Sequence, residues 1–134
     1  MSTDSKQEDL EEWVVTPAPP LYKKRQVRVQ VFGFPITQDD IRAWADAHNI
    51  PEEDDYYKRE DAWKAVCLRL PRNHRRLTII HNPMTISKQS MCIVIGSNLN
   101  AKDMERAQNS ELIKSLYDAV DMGKRPGWFY GSQG

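Results

Sequence analysis

The side chains equipped for chemistry are three histidines (His48, His74, His81), two cysteines (Cys67, Cys92) and the carboxylate run Glu52 to Asp55. The histidines show no i, i+4 pair and no His-x-Glu. Their spacing to either cysteine matches no zinc motif, so no metal site is expected. The sequence holds no glycine-rich phosphate loop and no nucleophile elbow, which leaves no cofactor to expect. An exposed Glu-Glu-Asp-Asp run lacks the desolvation that would shift a carboxyl pKa. His81, beside Asn82 at the end of a predicted strand, is where a search for a pocket starts, with Trp63 and Tyr117 expected to converge on it between sheet and helices. His48 falls at the end of a predicted helix, where its ring can meet the last carbonyls. Cys67 and Cys92 read as small buried hydrophobes on separate strands. Catalytic residues are unknown, and a non-enzymatic function is the expectation.

The other chemistry available is that of contact. Trp13, Phe32, Tyr56, Tyr57, Trp128, Phe129 and Tyr130 form an aromatic surplus of the kind in which interface centres are rich, and these are the interface candidates. Basic residues cluster at Lys23 to Arg28 and at Arg72 to Arg76, where a polyanion can bind if the fold joins them. The chain as a whole carries 19 basic and 19 acidic residues, and this neutrality argues against a globally basic nucleic-acid binder. The expected function is therefore a protein-interaction or self-association domain, its partner another protein or a second copy in a homodimer. The alternatives are a small-ligand-binding protein or enzyme with a pocket between sheet and helices, and an RNA-binding module.

These residues need elements to position them. Val27, Val29 and Val31 alternate with Arg28, Gln30 and Phe32, the period of a half-buried strand. Thr37 and Asp40 have capping-box spacing, flanked by Ile36 and Ile41 as a hydrophobic staple, and a helix stripe follows through Trp44, Ala45 and His48 until Pro51. Val66, Leu68 and Leu70 alternate as a second strand closed by Pro71, with a helix over Tyr57 to Val66 competing for its start. Leu77 to His81 and Met91 to Ile95 are the third and fourth strands, the last apolar enough for burial on both faces. A helical turn fits Ala101 to Ala107. A helix starts at Ser110 with Ile113, Leu116, Tyr117 and Val120 on one stripe, closed by Gly123 as C-cap.

This order, β-α-β-β-β-α, predicts an α+β two-layer sandwich: a mostly antiparallel four-stranded sheet with about two helices packed on one face. The other sheet face is expected to expose Phe32, Cys67, Ile80 and Val94 and to drive dimerisation. Residues 1–25 are expected to be a flexible, disordered arm around Pro17, Pro19 and Pro20, with Trp13 to Val15 packing on the domain or a partner. Residues 26–123 are the expected domain and residues 124–134 an aromatic C-terminal tail.

The segment Val29 to Ile41, an aromatic strand leading through a proline turn into a capped helix, resembles the opening of an RNA recognition motif. The resemblance implies base stacking on Phe32. It ends there: neither Leu77 to His81 nor Met91 to Ile95 carries the aromatics of that family's third strand. No apolar run approaches the roughly 20 residues of a membrane span. The acidic N-terminus fits neither a secretory nor a mitochondrial leader, so a cytoplasmic location is expected.

Overall fold

A computed structural model of the chain describes residues 13–81 and 90–131. Four strands, β1 (Gln30–Thr37), β2 (Leu77–His81), β3 (Ser90–Ser97) and β4 (Gly127–Gly131), combine with four helices, α1 (Gln38–Ala47), α2 (Asp55–Leu68), α3 (Ala101–Ala107) and α4 (Ser110–Val120). The order is β1-α1-α2-β2-β3-α3-α4-β4, with a 3-10 turn at Arg72–His74 before β2. The fold is α+β with an antiparallel four-stranded sheet, as the alternation and helix stripes imply, but with four helices in place of about two. The sequence also implies a loop from Met84 to Gln89, which lies outside the described residues.

The sheet closes on itself. β1 pairs with β3 from Val31 opposite Ser97 to Thr37 opposite Ser90. It also pairs with β4 from Gln30 opposite Tyr130 to Gly33 opposite Gly127. β2 bridges the remaining gap, with Leu77 opposite Ile93 on β3 and His81 opposite Tyr130 on β4. The resulting small barrel has Val31, Ile80, Cys92 and Phe129 packed together as one cluster. A register shift between Phe32 and Gly33 marks an irregularity in the β1–β3 ladder, at the point where the β1–β4 pairing ends. Gly33 makes this possible: a Cβ there would run into the Ile93 carbonyl and lie 2.6 Å from Cys92 Sγ.

The second, larger core gathers Phe32, Phe34, Ile36, Ile93 and Ile95 from β1 and β3 with Ile41, Trp44, Val66, Ile113, Leu116 and Val120 from the helices. Each helix begins with a side chain satisfying orphan amides. Thr37 and Asp40 form the expected capping box. Asp54 accepts from Tyr56 and Tyr57, Asn100 from Asp103 and Asn109 from Leu112.

Four expectations change. The stretch Trp63 to Leu68, expected as a strand, is the second half of α2: Ala62 and Val66, one turn apart, are buried, whereas Leu68 is 79% exposed. The Val66-Leu68-Leu70 alternation arises because Leu70 reaches the core only after the helix has ended. The residues expected on an open sheet face do not form one: Phe32, Ile80 and Val94 are buried within the closed fold, and Cys67 sits on α2. At the end of α4, Asp121 and not Gly123 takes the left-handed capping position, with φ 55°. The segment Gly127–Gly131, counted with the tail from its sequence, is the strand that completes the barrel. Trp13 is buried too, its ring centroid 4.5 Å from that of Tyr117 and the Arg125 guanidinium 4.0 Å above it.

Candidate functional site

Between Pro20 and Gln30 the chain leaves the core and forms a tight turn. Lys23 and Val27 pair as an isolated bridge, and the Lys23 carbonyl accepts from both Gln26 (2.9 Å) and Val27 (2.8 Å). Arg25 closes the turn in the left-handed region, with φ 66°. A turn this short has no core of its own, so its shape must be imposed from outside.

Asn98, fully buried at the end of β3, imposes it. Its side-chain amide donates to the carbonyls of Pro20 and Arg28, both at 2.9 Å, and its Oδ1 accepts from the Gln30 amide at 2.7 Å. The Asn98 backbone adds two more bonds, accepting from Tyr22 and donating to Gln30. Both limbs of the turn are thereby fixed to one residue whose polar groups are all used. A buried network satisfied in this way is rigid, since each broken bond would strand a desolvated group.

The turn frames an open groove of about 360 Å³ lined by Tyr22, Arg25, Gln26, Val27, Arg28 and Val29. Two guanidiniums and a phenol thus stand beside two valines. On the barrel side, the Arg28 guanidinium lies 4.2 Å from the ring centroid of the exposed Tyr130, which itself sits opposite His81. Residues far apart in sequence, the basic cluster and the aromatic C-terminal segment, are brought together here.

Charge distinguishes this surface from the rest. From Trp13 to Gln38 the chain has Lys23, Lys24, Arg25 and Arg28 and no carboxylate. Many of the other cations are matched to acids: Lys58 to Asp46 at 2.7 Å, Arg42 and Arg59 to Asp55, Lys114 to Asp118 at 2.8 Å, and Lys124 to Asp40 at 3.2 Å. The Lys58 ammonium, hydrogen-bonded to Asp46, holds that carboxyl below its ordinary value. None of the ion pairs among the described residues involves Lys23, Lys24 or Arg25. In the second basic cluster Arg75 donates to the Leu70 carbonyl at 2.8 Å and His74 is buried, while Arg72 and Arg76 are exposed.

The other sequence candidates fall apart from one another. Phe32 is fully buried against Trp128, centroids 5.1 Å apart, so it is not available for base stacking. Phe129 is partly buried against Val31, Ile80 and Cys92. Tyr56 and Tyr57 are exposed at the start of α2 and meet edge to face. Trp63 and Tyr117 pack at the core, while His81 is exposed on β2, and none of the three lines either cavity described here. His48 is the C-cap of α1; its ring stacks on Trp44 and bonds Asp121 at 3.2 Å. That pair borders a second hollow of about 190 Å³ between Trp44, Asp40, Asp121 and Met122. Asp40 is already taken by Thr37 and Lys124, and Asp121 by His48, so neither stands as an uncommitted acid or base. Burial raises the pKa of both thiols, Cys92 far more than Cys67. Among the described residues no cluster of His, Cys, Asp or Glu could hold a metal, and no helix is long and apolar enough to cross a membrane.

Asn98 is the residue that sequence reasoning missed. Its one local sign is a lone amide ending an apolar strand, and its partners lie 68 to 78 residues away. Compared with protein-family models, with curated proteins and with solved structures, the chain has no match in any of the three.

Proposed function

We propose that this chain is a non-enzymatic protein-interaction domain whose contact surface is the Tyr22–Val29 groove continued by Tyr130. The observation that carries this reading is the run Lys23-Lys24-Arg25, without a carboxylate partner among the described residues, on a turn that Asn98 holds rigid. Like charges held together repel, and an arriving acidic segment relieves that repulsion. A fixed turn also spares the complex the ordering entropy of a mobile loop. Val27, Val29 and Tyr22 offer apolar contact between the cations, so a partner segment with carboxylates flanking an apolar side chain matches the surface best.

A long polyanion matches less well. The run Lys23 to Arg28 spans only one turn, and the chain as a whole is neutral, with exposed acids Asp54, Asp55 and Glu60 on and beside α2. Cys67 and Cys92 are both free thiols, which suits a reducing compartment and supports a cytoplasmic location.

Titration of the isotope-labelled chain with a short Asp- and Glu-rich peptide, followed by amide NMR, tests this. Shifts are expected on residues 21–30 and 129–131, weakening with added salt. Shifts that are absent, or equal at Arg72 to Arg76, would sink the proposal.

A further inference from the structure

We infer that the groove receives a phosphorylated tyrosine side chain of a partner peptide, an inference that rests on the acidic-partner reading above and makes it specific. Its volume, about 360 Å³, lies near the lower end of the roughly 300–1,000 Å³ typical of small-ligand pockets, so it takes one large side chain and not a folded surface. The lining divides into two chemistries. Arg25 and Arg28 carry planar guanidiniums, whose forked N–H donors match phosphate oxygens and bind them in pairs. Tyr22, Val27 and Val29 present apolar and aromatic surface, which a carboxylate or a phosphoserine would leave uncovered. An aromatic ring ending in a dianion satisfies both. Lys23 and Lys24, adjacent in the turn, add charge that a phosphate of about −1.5 to −2 uses more fully than a single carboxylate does.

Preorganisation supports the same ligand. Arg28 is held at its backbone by Asn98 and at its guanidinium by the Tyr130 ring, 4.2 Å away. An arginine over an aromatic face is held by that face. Arg25 enters none of the ion pairs among the described residues.

The test measures fluorescence anisotropy with four peptides sharing acidic flanks and differing at one central residue: phosphotyrosine, phosphoserine, glutamate or tyrosine. Phosphotyrosine is expected to bind on the order of tenfold or more tighter than tyrosine, the span of one charge-assisted hydrogen bond. Arg25→Asn removes a guanidinium while tolerating the left-handed backbone, and it should abolish that preference with the amide NMR spectrum elsewhere unchanged. Equal binding of phosphoserine overturns the aromatic half of the inference. Equal binding of glutamate overturns the phosphate half and leaves the acidic-partner reading standing. Should no peptide bind, or a single-stranded oligothymidylate displace them all, the inference and the reading beneath it both fall.

Discussion

The buried side chain of Asn98 donates to the carbonyl of Arg28 at 2.9 Å, across 70 residues of sequence, and so ties the end of β3 to the base of the proposed binding turn. Two substitutions separate what this residue does. Asn98→Ala strands the Gln30 amide and two carbonyls and should cost about 3 kcal/mol, given ~1–3 kcal/mol for each buried unpaired group with partial rescue by water. Asn98→Asp keeps the acceptor for Gln30 but sets a carboxylate against the carbonyls of Pro20 and Arg28. It should therefore be the more damaging of the two at neutral pH. Urea titration ranks them, and an Asp variant as stable as wild type would refute the bonding scheme.

Charge can be removed from the turn without disturbing its left-handed backbone. Arg25→Asn should leave the melting temperature of the free protein unchanged or slightly higher, because it relieves repulsion with Lys23 and Lys24 in a conformation Asn tolerates. The same variant should bind acidic peptide less tightly. A clear loss of stability would mean that Arg25 is part of the scaffold.

Barrel closure depends on an absent side chain. Gly33→Ala would drive a methyl group into the Ile93 carbonyl and against Cys92 Sγ, and neither backbone nor buried thiol can retreat. A penalty of roughly 3 kcal/mol, the upper part of the overpacking range, is expected in calorimetry. Combination with Cys92→Ala should recover only part of it, since the carbonyl clash remains.

His74 supplies the pH dependence. Burial holds its pKa below the ordinary 6.5, only partly opposed by a hydrogen bond to the Val94 backbone, and Arg106 nearby acts in the same direction as burial. Nδ1 is buried without a partner. In the unfolded chain the ring gains a proton more readily, so stability is complete above about pH 6.5 and falls as pH drops below it. Thermal melts from pH 7.5 to pH 5.5 should show that decline, and His74→Gln should flatten it. An equal decline in the variant would assign the effect to other groups.

The two thiols give a simple probe of the core. Cys67 is partly exposed on α2, whereas Cys92 is fully buried in the barrel with its thiol pushed far up. A thiol reagent at pH 8 should modify Cys67 slowly and Cys92 only on unfolding. Simultaneous modification would show that the barrel opens readily.

What the sequence disclosed was what neighbours in sequence decide. The α1 start was legible because Thr37 and Asp40 cap each other three residues apart. The β3 core was legible because both of its faces are buried. α2 was misjudged at Trp63 to Leu68, where an apolar alternation overlay a helix whose inner face is mainly Ala62 and Val66 and which leaves Leu68 in water. The basic cluster was visible, but neither its groove nor its pairing with Tyr130 was. Both depend on Asn98 and β4, which meet the turn only once the chain has folded.

Closing the barrel with β4 also sets a timetable for synthesis. β1 emerges early from the ribosome, yet one of its two neighbours, Gly127–Gly131, is made nearly a hundred residues later. Until then the Gln30–Gly33 edge stands open, and pairing so distant in sequence is slow to form. Newly made chains spend that interval with an unpaired hydrophobic edge, the period in which edge-to-edge aggregation competes with folding.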